Sequence, residues 1–311
     1  PPTEQGAGSD DVIPGWIKNN AGWWADGQID DSSFVSGLQW LISNGIMILT
    51  QETAEPKPEV KSVDLTISSS PIFEKNFAKY VDVFGIPIYA TSDVPDDKVL
   101  RAANVLVHYL DNDADGVPDC PLVVEKLKES NSAIPMFSSE RQDENSAFWR
   151  DYDPEPSYFA GDLDRNWADS EYNCWIALYA SETNIPKRFD ASLEEILHMI
   201  TQCGYGEAYP EIFAEKEGSA LSNAMTNAIE SRHYNPFVDE RMPFGDQHTE
   251  YIYWALTSIL GAQEDRLDEI GHEWKLNTKE KVMETDPDIY NLLTDPQYKL
   301  PTIIPDGNYQ G

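Results

Sequence analysis

Three short apolar runs precede a long helical stretch, and that order restricts the fold more than any other feature of the chain. "VDVFGIPIYA" (81–90), "AIPMF" (133–137) and "CWIALYA" (174–180) read as strands. Between the first two, Pro95–Leu110 carries Val99, Leu100, Ala103, Leu106, Val107 and Leu110 at helical spacing, with Pro95 at the first helical position. After the third run helical periodicity takes over, in "SLEEILHMITQCG" (192–204), in a segment near 219–231 and in a very apolar one near 249–263. Strands early and helices late predict an α+β fold.

The chain ahead of this pattern reads as a separate unit. Residues 1–50 form a small, mainly helical module. In "IDDSSFVSGLQWLISNG", Asp31 is the expected N-cap, Phe34, Val35, Leu38, Leu41 and Ile42 share one face, and Gly45 stops the helix. "IMIL" follows as a short strand. Residues 51–63, "TQETAEPKPEVKS" over most of their length, are rich in proline and charge and predict a linker. The α+β domain then occupies 64–311. Trp16, Trp23, Trp24 and Trp40 are expected as the core of the small module, because a domain of that size needs large side chains to bury enough surface.

The words "IPGWIKNNAGWWADGQIDDSSFVSGLQWLISNGI" resemble the small repeat carried by many secreted and cell-surface proteins of marine ammonia-oxidising archaea. The resemblance implies an archaeal protein located outside the cell or on its surface, with cell-surface components among its partners. It implies nothing about chemistry. The first residues, "PPTEQGAGSD", read as a mature or trimmed terminus.

Charge narrows the partners. Lysine and arginine number 22 against 55 acidic residues, a formal net charge of −33. Such a surface repels nucleic acid and anionic lipid and attracts cations. No apolar run reaches the length of about 18 residues that a membrane span needs. Cys120, Cys174 and Cys203 match no zinc-ribbon spacing; one disulfide at most can form, and its partners stay open.

One cation site is legible as a motif. "DNDADGVPD" places Asp111, Asp113, Asp115, Gly116 and Asp119 at positions 1, 3, 5, 6 and 9 of an EF-hand-like loop, with the carbonyl of Val117 at position 7. Alternating carboxylates converge on one Ca2+ while glycine makes the sharp turn. Position 12 is Leu122, not glutamate, and Glu125 comes three residues late, so a weak structural site suited to millimolar extracellular calcium is expected. The competing reading is an Asp-rich turn.

The second candidate is the helix at 192–204. At about 100° per residue, Leu193, Ile196, Leu197 and Ile200 form an apolar stripe, and Glu194, His198 and Thr201 share another face with Glu195 beside them. In one reading Ser192 is the N-cap, Glu195 closes a capping box and His198 faces solvent. In the other, Glu194 and His198 hold a metal at i and i+4, and Glu195 is the general base for a bound water. The second arrangement resembles the zincin metallopeptidases, whose active helix reads His-Glu-x-x-His; here the words are Glu194-Glu195-Ile-Leu-His198, with glutamate in the first histidine's place.

That resemblance implies a zincin-like domain, Zn2+ or another divalent transition metal, and hydrolysis of a peptide or related bond. Glu250, in "HTEYIYWALTSILGAQ", is the expected third ligand, with Glu217 in reserve, and His272 is expected at the surface. His198 and Cys203 lie about 140° apart around a helix, a poor nucleophile–base pair. The expected function is a secreted metal-dependent hydrolase; the alternative is a non-catalytic calcium-binding cell-surface protein of the same fold.

Overall fold

The run at 81–90 folds as a hairpin and not as one strand. β2 (Lys79–Val83) and β3 (Ile86–Ala90) pair antiparallel, with Val83 opposite Ile86. The turn between them needs left-handed backbone at both residues, φ 52° at Phe84 and 84° at Gly85, which makes glycine the natural second residue. Asp82 Oδ1 accepts from the Gly85 amide at 2.9 Å and holds the turn. The sequence pattern missed this because apolar residues on both sides of Phe84-Gly85 disguise the turn.

The computed structural model describes residues 22–24, 26–30, 32–37, 58–62, 75–148, 174–238 and 242–309. The chain divides into two compact units, Pro1–Glu52 and Thr53–Gly311. In the first, residues 32–37 are helical and Asp30 caps them: its Oδ1 accepts from the Ser33 amide at 2.7 Å and from the Ser32 hydroxyl at 3.0 Å, while Asp31, the expected cap, lies outside the described residues. Trp24 stacks on Phe34 with ring centroids 4.7 Å apart. Trp23 and Trp24 are each 45% exposed, so these two are not the enclosed core expected of them. Trp16, Trp40 and "IMIL" lie outside the described residues.

The second unit is a mixed α/β fold. β1 (Lys61–Ser62) pairs antiparallel with β2; β4 (Ile134–Phe137) and β5 (Leu178–Tyr179) extend the sheet in parallel from β3, giving the order β1-β2-β3-β4-β5. The crossover from β3 to β4 carries α1 (Asp96–Leu110) and α2 (Pro121–Glu129). Pro95 is the N-cap of α1 and not its first residue. Of the run 174–180 only Leu178 and Tyr179 form a strand, with an isolated parallel bridge at Trp175.

The two faces of the sheet bury different chemistry. Val81, Val83, Ile86 and Ile88 pack with Val99, Ala103 and Leu106 of α1 in the main core. Phe77, Tyr89, Phe137 and Phe148 make an aromatic cluster on the other side, as the two-residue alternation of a strand dictates.

Helices dominate the rest: α3 (Ala191–Met199), α4 (Ala220–Glu230, capped by Ser219) and α5 (Phe244–Ile259). α3 runs straight into a π-helical turn, Ile200–Tyr205. α1 grips the start of α3 twice: Arg101 Nε lies 2.7 Å from Asp190 Oδ2, and the Tyr109 hydroxyl donates to the Leu193 carbonyl at 2.9 Å. α2 grips its continuation, since Gly204 sits so close that a Cβ there would lie 2.7 Å from Val123 Cγ1. Cys174 and Cys203 form a disulfide across 29 residues, and Cys120 is free and buried. No helix among the described residues is long and apolar enough to cross a membrane.

Candidate metal centres

The N-terminus of α3 is capped without its glutamates. The capping residue is Asp190, whose Oδ1 accepts from the Ser192 amide at 3.1 Å, the Ser192 hydroxyl at 2.7 Å and the Asn184 amide at 2.9 Å. Ser192 lies fully buried inside the first turn. The expected capping box is therefore absent: Glu195 comes five residues after the cap, and the box needs a glutamate at the third. Glu194 and Glu195 are left available for other work.

Glu194 and His198 face α5, and α5 returns Glu250. One donor atom from each of Glu194, His198 and Glu250 lies within 4.8 Å of the other two. His198 Nε2 and Glu250 Oε1 are 3.8 Å apart. Two tetrahedral ligands, each about 2 Å from a zinc ion, sit about 3.4 Å from one another, so the spacing is near what a shared cation demands. His198 is 8% exposed and its Nε2 has no hydrogen-bond partner among the described residues. A buried ring nitrogen with no hydrogen-bond partner, 3.8 Å from a carboxylate, needs either its own proton or a cation shared with the carboxylates. α5 begins at Phe244, so Glu250 sits in its second turn and is no first-turn decoration.

Charge in the centre is strongly perturbed. Burial raises Glu194 and pushes Glu250 up to about 8; His198 opposes both shifts. For His198 burial disfavours the cation, but Glu195, Glu250 and Glu194 outweigh it and lift the ring to about 9. The ring also packs edge-on against Tyr253, with centroids 5.4 Å apart.

The sequence reading missed a fourth carboxylate. Glu215 accepts from the Thr249 hydroxyl at Oε1 and from Gln202 Nε2 at 3.1 Å at Oε2. Gln202 follows His198 by four residues, in the π-helical turn that continues α3, and Thr249 adjoins Glu250 on α5. Burial pushes Glu215 up to about 7, against the two hydrogen bonds. Asp246, four residues before Glu250, is likewise raised by burial and lowered by His198. Those i+4 spacings were visible; the loop that brings in Glu215 was not. Glu217, the reserve ligand, is exposed, as is His272.

The Asp111–Asp119 loop connects α1 to α2, as a helix–loop–helix reading expects. Asp111, fully buried, accepts from the Asp115 amide at 3.1 Å, from the Gly116 amide at 2.7 Å and from the Tyr309 hydroxyl. Asp115 Oδ1 accepts from the Val117 amide at 2.9 Å. Gly116 takes φ 86° at the sharp turn. Asp111, Asp113 and Asp115 each bring an oxygen within 4.8 Å of the others. Asp119 is not in that group; its Oδ2 accepts from the Asn112 amide at 2.6 Å, and burial raises its carboxyl. Both clusters thus have the donors to bind a metal ion: oxygen alone in the loop, oxygen with nitrogen between α3 and α5.

Comparison with family models, with curated proteins and with solved structures finds no match to the chain.

Proposed function

We propose that the protein is a secreted metal-dependent hydrolase of a peptide or related bond, on a zincin-like domain, with Glu194, His198 and Glu250 holding Zn2+ or another divalent transition metal. The observation that carries this reading is the buried, unpartnered His198 Nε2 beside Glu250 and Glu194. When bound, such a metal supplies an activated water and polarises the scissile carbonyl. The chain's own part is to hold three donors on two facing helices and leave a fourth position for water.

A water activated by such a metal would give its proton to a nearby carboxylate. Glu215 suits that role, since both its oxygens are oriented by neutral donors and a carboxyl pushed to about 7 exchanges protons near neutrality. Glu195, the base expected from the resemblance to zincins, lies beside the other ring nitrogen of His198. The Asp111, Asp113 and Asp115 cluster supports a structural Ca2+ site in the loop, and the Cys174–Cys203 disulfide supports an oxidising, extracytoplasmic setting.

Elemental analysis of protein purified without chelator tests the central claim. One transition-metal ion per chain, lost in His198→Ala, is the expected result. Absence of such a metal after incubation with Zn2+, Mn2+ and Co2+ in turn would leave the calcium-binding surface protein as the better reading.

A further inference from the structure

His198 is flanked on both ring nitrogens, and the two flanks differ. Glu250 Oε1 lies 3.8 Å from Nε2, and Glu195 Oε2 lies 3.8 Å from Nδ1. Glu195 and His198 are one helical turn apart on α3, so this proximity is built into the helix and does not depend on a mobile loop. Glu195 is outside the three-residue donor group, and its side chain is a third exposed where that of His198 is only a tenth. We propose that Glu195 is a positioning residue: it acts on the metal through His198, by holding the proton on Nδ1 so that Nε2 presents its lone pair to the cation. The proposal rests on the metal-centre reading above and concerns only how its one nitrogen ligand is set.

The chemistry follows from the ring. A neutral imidazole carries one proton, and a nitrogen that ligates must be the other one. With nothing at Nδ1, both tautomers are populated and the ring is free to rotate about its side chain. At 3.8 Å Glu195 acts on Nδ1 through its charge and not through a formed hydrogen bond; a carboxylate there favours the Nδ1–H tautomer and raises the basicity of Nε2. The edge-on contact with Tyr253 limits rotation of the ring. Glu194, by contrast, belongs to the donor group and sits one residue earlier, about 100° around the helix. Adjacent glutamates on one turn thus divide between ligand and support, which explains why both are acidic although only one enters the cluster.

The test titrates the metal-stripped full chain, held in millimolar calcium, with Co2+ and Zn2+, following the visible absorption of bound cobalt. Wild type should bind one ion. Glu195→Gln should still bind one, with affinity about 10- to 100-fold weaker and an altered cobalt spectrum. Glu195→Asp should recover part of the affinity. Wild-type affinity and spectrum in Glu195→Gln would overturn the proposal and leave the metal centre standing. Loss of all binding, matching His198→Ala, would make Glu195 a ligand and overturn it too. If wild type binds neither ion, the centre itself is wrong and the proposal falls with it.

Discussion

His198 of α3 and Glu250 of α5 meet across two facing helices, Nε2 to Oε1 at 3.8 Å, in a buried setting shared with Glu194. Two carboxylates and one histidine held in low dielectric leave at least one carboxyl that must stay protonated unless a further cation joins them. The site therefore works against the fold in its metal-free form, and that conflict has measurable consequences.

Stability of the metal-free protein should fall as pH rises from about 5 to about 9. Glu250 and Glu215 have folded values near 8 and 7, above the ordinary 4.5, so their ionisation is resisted by the fold and costs stability as pH climbs between the two values. His198 has a folded value near 9 against 6.5; the stability it contributes is complete below about 6.5 and is lost as pH rises through 9. All three act in one direction. Melting curves at fixed calcium, with transition metal removed, should decline across this window, less steeply in the Glu215→Gln, Glu250→Gln double variant. Added Zn2+ should reverse the decline above neutrality. Equal slopes in wild type and double variant would contradict the assignment.

Calcium should tie down the C-terminal segment. Tyr309 donates to Asp111, and Asn112 Oδ1 accepts from the Thr302 and Ile303 amides at 2.8 and 3.0 Å, so residues 302–309 fasten to the loop by its first two residues. A chelator should lower the melting temperature and expose the C-terminal segment to a protease. Asp113→Ala should make the protein indifferent to the chelator. Unchanged melting with and without calcium would show that the loop is an Asp-rich turn.

How much of this was legible depended on whether the signal was local. Glu194 and His198 share a helix face by arithmetic, and Glu250 stood out as a carboxylate in an otherwise apolar helix, which needs a partner. The alternating aspartates of 111–119 fixed a loop between two helices in the same way. What failed was the fine reading of helix starts: Asp190, Asp30 and Pro95 are the caps, each one or two positions from the expected residue. Glu215 was hidden because it comes from a connecting loop, and nothing in "EIFAEKEGSA" distinguishes it from Glu217. The pairing of Cys174 with Cys203 depends on the segment ahead of β5 reaching the π-helical turn, which no spacing encodes.

Gly204 should tolerate no side chain while Val123 is present. A Cβ would lie 2.7 Å from Val123 Cγ1 and 3.3 Å from Leu127 Cγ, both on α2. Gly204→Ala should cost about 1–3 kcal/mol by overpacking, read as a lower denaturation midpoint. Val123→Ala alone should also destabilise, by opening a cavity. The double variant should be more stable than the sum of the two losses, because one change makes room for the other. Simple additivity would mean that the two helices separate freely there.

The disulfide should matter for both fold and site. Closing 29 residues restricts the unfolded chain, worth about 3–4 kcal/mol in the chain-entropy account. The closed loop contains Glu194 and His198, and Cys203 lies in the π-helical turn that follows them. Cys174→Ser with Cys203→Ser should lower the denaturation midpoint by that order and weaken cobalt binding at the centre. Full metal affinity in the folded double variant would place the disulfide's role in stability alone.

The sharpest separation of a working site from an ordinary buried polar cluster is a substitution whose two effects have opposite sign. Glu250 titrates near 8 because burial resists its charge. Gln has nearly the same shape and carries none. Above about pH 8, Glu250→Gln removes a buried carboxylate, so the metal-free variant should melt at a higher temperature than wild type under the same conditions. At pH 5–6 wild-type Glu250 is neutral in the fold and only a small part of the penalty has developed, so the gap between the two should be much smaller than at pH 8.5. Metal binding should go the other way, since an amide is a far poorer ligand than a carboxylate and only Glu194 and His198 remain. A residue kept for packing or hydrogen bonding behaves differently: its loss lowers stability at every pH. Melting curves of Glu250→Gln and wild type at pH 5.5 and 8.5, with and without Zn2+, distinguish the two. Raised stability without zinc together with lost zinc stabilisation is the expected pattern, and uniform destabilisation would assign Glu250 to the scaffold.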